Sequence, residues 1–147
     1  MSSLTYNTYP GAGEELTNLF NYSQSVAIPA SALIIKLAGQ GGWSPSSFFE
    51  LPGPPSDEAA HKTQVKQAFD NVERALAAAG VAEGWKAVYC MRSYSVDIGK
   101  TQEAITEELK ARCGEGHKPI WTALGVRALA SEEMLVEIEV EAVLQQK

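Results

Sequence analysis

The segment LVEIEVEA, residues 135–142, carries the clearest chemical signal in this chain because apolar and acidic residues alternate along it. If the segment is a β-strand with its apolar residues in a core, Glu137, Glu139 and Glu141 must face the other way. A carboxylate on that face can orient and deprotonate a water molecule, which is general-base chemistry. The same pattern also describes a strand whose outer face is simply solvated. The strand alone leaves both interpretations open.

The cysteines and histidines do not suggest a metal site. Cys90 and Cys113 form no C-x-x-C pair, and His61 and His117 are also isolated in the sequence, so metal-ligand spacing is absent. We expect no bound metal, a buried Cys90, and an exposed Cys113 at a helix end. His117, in a glycine-rich loop, is a residue that can exchange a proton near pH 7 or be merely solvated.

Composition restricts the class of protein. The 147 residues, 45% of them apolar, suit one domain with a substantial core. Twelve Lys and Arg against 18 Asp and Glu give a net charge of -6, which argues against nucleic acid as a partner. The most apolar stretch, residues 25–37, is interrupted by Pro29 and Lys36, and no signal-peptide pattern opens the chain. We therefore expect a soluble cytoplasmic protein that does not contact membranes.

The elements that position these residues follow from periodicity. Residues 1–20 are polar with Pro and Gly and predict an irregular N-terminal arm, followed by one domain over residues 21–147. The proline-rich segment 44–56 predicts a surface loop. Strands are predicted at residues 26–28, 32–37, 87–96, 121–129 and 135–143.

Two helices complete the predicted fold. Asp57 is the expected N-cap of a helix that ends near Ala79, before Gly80, and Thr101 is the expected cap of a second helix that ends before Gly114. The order predicts an α+β fold with two helices on one face of a mixed sheet. Its other face would bear apolar side chains without cover, so we expect a homo-oligomer packed sheet to sheet.

Five short elements, taken in order and spacing, resemble one known family. They are Tyr22-Ser23-Gln24-Ser25, Ala38-Gly39-Gln40, Ala77-Ala78-Ala79-Gly80, His117-Lys118-Pro119 and Leu135-Val136-Glu137-Ile138-Glu139. Over residues 22–143 the chain resembles the Rid family, also called YjgF/YER057c/UK114. The resemblance implies a chorismate mutase-like two-layer fold, a homotrimer, and clefts at the subunit interfaces. It also implies hydrolysis of reactive imines and enamines, such as 2-aminoacrylate, to a keto acid and ammonia without metal or cofactor.

The resemblance assigns roles to several residues. Gly39, with Gln40 beside it, would line the cleft, Tyr22 would close it, and Glu137 would position the attacking water. The chemistry is reasonable, because a protonated imine nitrogen makes its carbon electrophilic while the carboxylate takes a proton from water. Glu137 is therefore the candidate catalytic residue.

One departure from the family pattern concerns the substrate anchor. The family's P-x-R-[ST] segment holds the substrate carboxylate through its arginine, whereas this chain has Pro119-Ile120-Trp121-Thr122, and Ala123 replaces a residue that is often Cys, Ser or Thr. An indole has a single N–H donor and cannot replace a bidentate guanidinium. Arg92 or Arg127 would have to substitute for it. Trp121 itself either fills the cleft or forms an apolar wall for a larger, less charged ligand.

Two functional hypotheses remain open at this stage. In the first, the protein is an imine or enamine deaminase-like hydrolase or lyase of altered specificity, acting through Glu137 and bound water. In the second, it is a non-catalytic ligand-binding or chaperone-like trimer. Ribonuclease action, which is associated by name with some members, is disfavoured by the acidic charge and by the absence of a basic stripe or paired histidines.

Overall fold

A mixed β-sheet backed by two long helices organises the chain, whose computed structural model describes residues 4–144. The strands are β1 (Thr5–Asn7), β2 (Ser25–Ala27), β3 (Leu33–Lys36), β4 (Gln40–Gly41), β5 (Val88–Ser95), β6 (Ile120–Gly125) and β7 (Val136–Leu144). The helices are α1 (Ala12–Phe20), α2 (Glu58–Ala78) and α3 (Ile98–Cys113), and a short 3-10 turn spans Gly84–Ala87. The predicted α+β class and mixed sheet are confirmed.

The strand that carries the three glutamates lies at the centre of the main sheet. The strand order is β3-β7-β5-β6, and β4 also pairs with β7 beyond the end of β3. β5 and β6 run parallel, because α3 connects them as a crossover, whereas the pairs that β7 forms with β3, β4 and β5 are antiparallel. β7 is therefore flanked on one side by β5 and on the other by β3 and β4.

The core lies between the sheet and helices α2 and α3. Asp57 caps α2 as predicted, its Oδ1 accepting a hydrogen bond from the Ala59 N–H at 3.0 Å. Trp85 stacks on Phe69 with ring centroids 4.3 Å apart and donates from Nε1 to the Phe69 carbonyl. The alternate apolar residues of β7 are fully buried against this layer: Val136, Ile138, Val140 and Ala142.

Two details of the predicted helix α3 are wrong. The helix begins one turn earlier, with Asp97 at the N-cap, and Thr101 is buried inside it, where its Oγ1 donates to Ser95 Oγ at 2.6 Å. Cys113, predicted to be exposed, is 5% exposed because the helix end packs against the turn that contains Trp85. Cys90 is buried, as expected.

The N-terminal residues are more regular than the sequence suggested. The prediction of an irregular arm over residues 1–20 is wrong for residues 5–20, which contain β1 and α1. β1 pairs antiparallel with β2, and Phe20 at the end of α1 packs against the core. Residues 1–3 of the predicted arm and 145–147 of the predicted domain lie outside the described residues.

The uncovered face of the sheet carries charges, so the expectation of an apolar open face is wrong along its central strands. Glu139 and Glu141 on β7 lie 3.2 and 3.7 Å from Arg92 on β5, and Lys36 on β3 lies 3.3 Å from Glu141. Exposed apolar side chains on this face, such as Ile34, lie on the flanking strands. Among the described residues, no helix is long and apolar enough to cross a bilayer.

Candidate functional site

Glu137 and Gly39 lie against each other at the end of β7. β4 places Gly41 opposite Glu137, which brings the preceding residues of the chain over the Glu137 side chain. A Cβ atom added at Gly39 would lie 2.2 Å from Glu137 Oε1. Only glycine therefore lets the backbone approach the carboxylate this closely. Gln40 follows in β4, and its Nε2 donates to the Ala38 carbonyl at 3.2 Å.

The Glu137 carboxyl has a perturbed environment. Burial raises its pKa above the usual value, and the neighbouring charge of Glu139 raises it further. Among residues 4–144, no group donates a hydrogen bond to this carboxylate. A half-buried carboxylate with a raised pKa and free lone pairs is suited to hold and deprotonate a water molecule.

Trp121 is enclosed by protein on the helix-facing side of the sheet. It is 8% exposed, and its Nε1 donates to Ser93 Oγ at 2.9 Å, so its only donor is already used. The rings of Phe20 and Tyr22 meet it edge to face, with centroids 6.5 and 5.9 Å away. Tyr22 and Trp121, two of the predicted binding residues, are therefore direct neighbours.

These two groups of residues do not meet within one chain. In the sheet register, Glu137 shares its row with Tyr94 of β5, whereas Trp121 shares its row with Met91 and Val140. Val140 is buried against the helices, so Trp121 and Glu137 lie on opposite faces. Two strand spacings, roughly 10 Å, also separate β7 from β6. One chain thus carries two separate groups of candidate residues, called here the Glu137 half-site, formed by Gly39 and Glu137, and the Trp121 half-site, formed by Phe20, Tyr22, Trp121 and Ala123. Gln40 pairs with Ile138, so its side chain belongs to the helix-facing side and not to the side of Glu137.

The arginines considered as substitute anchors lie away from Trp121. Arg92 is on the charged face, with its guanidinium paired to Glu139 and Glu141 at 3.2 and 3.7 Å. Arg127 is exposed beyond the end of β6. Ala123 shares the face of Trp121, opposite Ser93, and offers no polar group. Within one chain, neither arginine takes the position of the missing guanidinium.

Two residues that contact Trp121 are not predicted by the sequence: Phe20 and Ser93. Phe20 falls in the predicted irregular arm, although its spacing from Leu16 suits one face of a short helix. Ser93 is 1% exposed on the apolar side of β5, and a polar residue at an inward-facing position of that strand was the signal available in the sequence.

His117 has a structural environment. Its ring meets Tyr6 edge to face with centroids 5.4 Å apart, and its Nε2 contacts the Val88 carbonyl. Burial lowers the pKa of His117, although the hydrogen bond to Val88 opposes that shift. Neutral His117 therefore ties the 114–119 loop to the start of β5. Within residues 4–144, no cluster of three His, Cys, Asp or Glu side chains could hold a metal ion.

The chain shares its fold and part of its sequence with known proteins. Residues 13–144 match the family model described as Endoribonuclease L-PSP. A Yersinia pestis protein of the conserved Rid family, YyfB, is 26% identical with a TM-score of 0.77, over 97% of this chain and 100% of that one. A Mycobacterium tuberculosis member of the YjgF/YER057c/UK114 family is 27% identical with a TM-score of 0.58, over the same shares. Yeast Mmf1, at 20% identity and a TM-score of 0.61 over 97% of this chain and 100% of its own, shares the fold. No curated protein matches the sequence significantly.

Proposed function

This chain belongs to the Endoribonuclease L-PSP family, which includes the Rid proteins, and on that premise we propose that Glu137 directs water onto an imine, enamine or related unsaturated small molecule. Family membership supports a small-molecule-binding protein. The contact between Glu137 and Gly39 carries the proposal of catalysis, because it holds a carboxylate of raised pKa beside the backbone that leads into β4.

The proposed reaction needs a proton acceptor and a protonated imine. Glu137 takes a proton from water as the water oxygen forms a bond to the electrophilic carbon, which gives a carbinolamine. Glu137 then returns the proton to the nitrogen, and the carbon–nitrogen bond breaks so that ammonia leaves. As the carbonyl forms, the hydroxyl proton of the carbinolamine passes to the Glu137 carboxylate, which releases it to solvent. An enamine enters the same sequence after protonation at carbon. Electrostatic positioning of water and substrate accounts for the chemistry, so no cofactor is proposed.

The cleft is proposed to form between copies of the chain. Glu137 and Trp121 lie on opposite faces of one sheet, so the two half-sites of a single chain cannot line the same cleft. A cyclic assembly joins one edge of a molecule to the opposite edge of the next and can bring the two half-sites together. We propose the homotrimer that the family resemblance implies.

The proposed substrate lacks the carboxylate of an amino acid-derived imine. Trp121 replaces the guanidinium that would bind such a group, and Arg92 is already paired with two carboxylates. The exposed rim of the Trp121 half-site consists of the rings of Tyr22 and Phe20, which are only partly buried. These rings favour a larger, apolar substrate.

An assay of ammonia release tests the proposal. Freshly generated 2-aminoacrylate and bulkier apolar imines are given to the wild-type protein and to Glu137→Gln, which keeps the size of the side chain but removes the proton acceptor. We expect activity on the apolar imines and a loss of roughly 10²-fold or more in the variant. Glu103→Gln, at an exposed position of α3, is the charge-matched control. Retention of activity within a few-fold in Glu137→Gln contradicts the assignment and makes Glu139 the next residue to test.

A non-catalytic ligand-binding or chaperone-like trimer is the second candidate. Its support is the enclosure of Trp121 by Phe20, Tyr22 and Ser93, which leaves little of the indole for a substrate. Ribonuclease action, which the family description names, has less support because the chain carries a net charge of -6. Binding of apolar imines without ammonia release would favour the non-catalytic candidate.

A further inference from the structure

A groove outside both half-sites lies between the proline-rich loop and the entry to β7. Its volume is about 850 Å³, within the range of small-molecule sites, and it is formed mainly by residues 42–55, with Gln67 of α2 and Glu133. The groove therefore does not use Gly39, Glu137 or Trp121. Its function is independent of the proposed imine chemistry.

The apolar wall of the groove is unusually exposed. Phe49 is 85% exposed, and Leu51 lies beside it together with four prolines: Pro45, Pro52, Pro54 and Pro55. The Phe49 ring meets Phe48 edge to face, with ring centroids 5.6 Å apart, and Phe48 contacts Trp43 with centroids 5.4 Å apart. An aromatic ring this exposed has a free face on which a ligand can pack.

The charged residues that line the groove are all acidic. Glu50 and Glu133 line it, and its lining residues include no Lys, Arg or His. Among residues 4–144, neither carboxylate forms an ion pair, whereas Asp70, Glu139 and Glu141 are all paired with basic side chains. Unpaired carboxylates beside an exposed aromatic ring are complementary to an organic cation.

The two walls of the groove are tied together by a buried side chain. Gln64 of α2 is fully buried, and its Nε2 donates to the carbonyls of Pro52 and Glu133 at 3.2 and 2.9 Å. Its Oε1 accepts from the Leu135 N–H at 2.9 Å. The loop and the entry to β7 are therefore held at a fixed separation, which lowers the cost of ordering them on binding.

We propose that this groove binds an amphipathic organic cation, with an alkyl or aromatic body on Phe49 and the prolines and an ammonium group between Glu50 and Glu133. The apolar wall and the unpaired carboxylates are both needed for this selectivity. A neutral molecule of the same shape would leave the carboxylates unpaired, and an anion would be repelled by them.

A matched ligand series tests this proposal. Hexylamine, hexanol and hexanoate are titrated into the isotope-labelled protein, and the backbone amide shifts of the non-proline residues among 42–55, and of residues 67 and 133, are followed by NMR. We expect saturable shifts there for hexylamine alone, with affinity falling as salt is raised because the carboxylates are exposed. Glu133→Gln should weaken binding about two- to fivefold, and Phe49→Ala about three- to thirtyfold. Glu132→Gln, an exposed neighbour that does not line the groove, is the control and should bind like wild type.

Three results would overturn the proposal. Equal binding of hexanol or hexanoate would show that the carboxylates do not select the ligand. Hexylamine shifts confined to other parts of the chain would place its site elsewhere. A change of oligomeric state in Phe49→Ala, measured by sedimentation, would show that the groove is an interface between copies. None of these results bears on Glu137, so the imine proposal is tested separately.

Discussion

Glu137 gives the first prediction at the scale of single residues, because its raised pKa sets a pH dependence. In the proposed reaction the deprotonated carboxylate takes the proton from water, so the rate should rise as pH increases through a pKa above the usual glutamate value. Glu139 contributes to that shift, and Glu139→Gln should move the rising limb to lower pH. The rate of ammonia release against pH measures both effects. A limb that stays in place in Glu139→Gln would show that the titrating group is not Glu137.

Gly39 gives a second prediction, because its missing Cβ is the space that the Glu137 carboxylate occupies. In Gly39→Ala the new methyl group would lie 2.2 Å from Oε1, so the carboxylate must move and activity should fall at least about tenfold. Gly99→Ala is the matched control, since its Cβ would meet only Asp97 Oδ1 at an ordinary 3.5 Å. Equal rates for the two variants would mean that the position of Glu137 is unimportant.

Trp121 gives the third prediction, which concerns substrate choice. Wild-type protein should show little activity on 2-iminopropanoate, and Trp121→Arg should restore part of it. A charge-assisted bidentate contact contributes on the order of 1.5–3 kcal/mol, about ten- to a hundredfold in rate. The gain should be partial, because the arginine would replace a buried indole that bonds to Ser93. Trp121→Lys, a charge without the planar fork, should gain less. Wild-type turnover of 2-iminopropanoate as fast as that of apolar imines would contradict this account of the missing arginine.

At the scale of elements, Arg112 clamps α3 to α2. Its guanidinium lies 2.5 Å from Asp70, 3.0 Å from Glu73 and 2.8 Å from Glu108, and 5.7 Å from the centre of the Phe69 ring. Arg112 is only 15% exposed, so its loss leaves carboxylates in partly desolvated surroundings.

Substitution of Arg112 should therefore destabilise the fold. Arg112→Met is expected to lower the free energy of unfolding by about 1–3 kcal/mol, measured by urea denaturation. Lys62→Met is the control, because the Lys62–Glu107 pair is exposed and should contribute less than about 1 kcal/mol.

The stabilisation by Arg112 should also depend on pH. Burial alone would raise the pKa of Asp70, but hydrogen bonds and charges from Arg112 and Lys66 lower it. The stabilisation from the Asp70–Arg112 pair is present above the ordinary aspartate pKa and is lost as pH falls. The free energies of unfolding of Arg112→Met and wild type should therefore become similar in acid. Equal stability of Arg112→Met and wild type at neutral pH would contradict the clamp.

The elements that could be predicted from the sequence are those in which apolar residues recur at a regular spacing. Helix α2 follows its apolar stripe and its Asp57 cap, and β7 follows its strict alternation. Helix α1 was missed because it is short, contains Gly13, and is held by the contact of Phe20 with Trp121, which sequence periodicity does not show. The sequence predicts the start of α3 at Thr101 because a threonine hydroxyl suits an N-cap, yet in the structure the Thr101 hydroxyl donates to Ser95 Oγ.

At the scale of the whole molecule, the two half-sites explain how far the site could be predicted. The family resemblance selected Tyr22, Gly39, Trp121 and Glu137, and the fold pairs Gly39 with Glu137 and Tyr22 with Trp121. The separation of the pairs on opposite faces was not predicted, because it depends on the register between β5, β6 and β7. The cleft that we propose depends on contacts between copies, which no pattern within one chain specifies.

A crystal structure of the assembled protein with an apolar imine analogue tests the central claim most directly. We predict a homotrimer in which Glu137 of one copy and Tyr22 and Trp121 of a neighbouring copy line the same cleft. The analogue should lie with its imine carbon facing the Glu137 carboxylate and its apolar part on the aromatic rings. Glu137 exposed to bulk solvent, far from any neighbouring copy and from the analogue, would contradict the account.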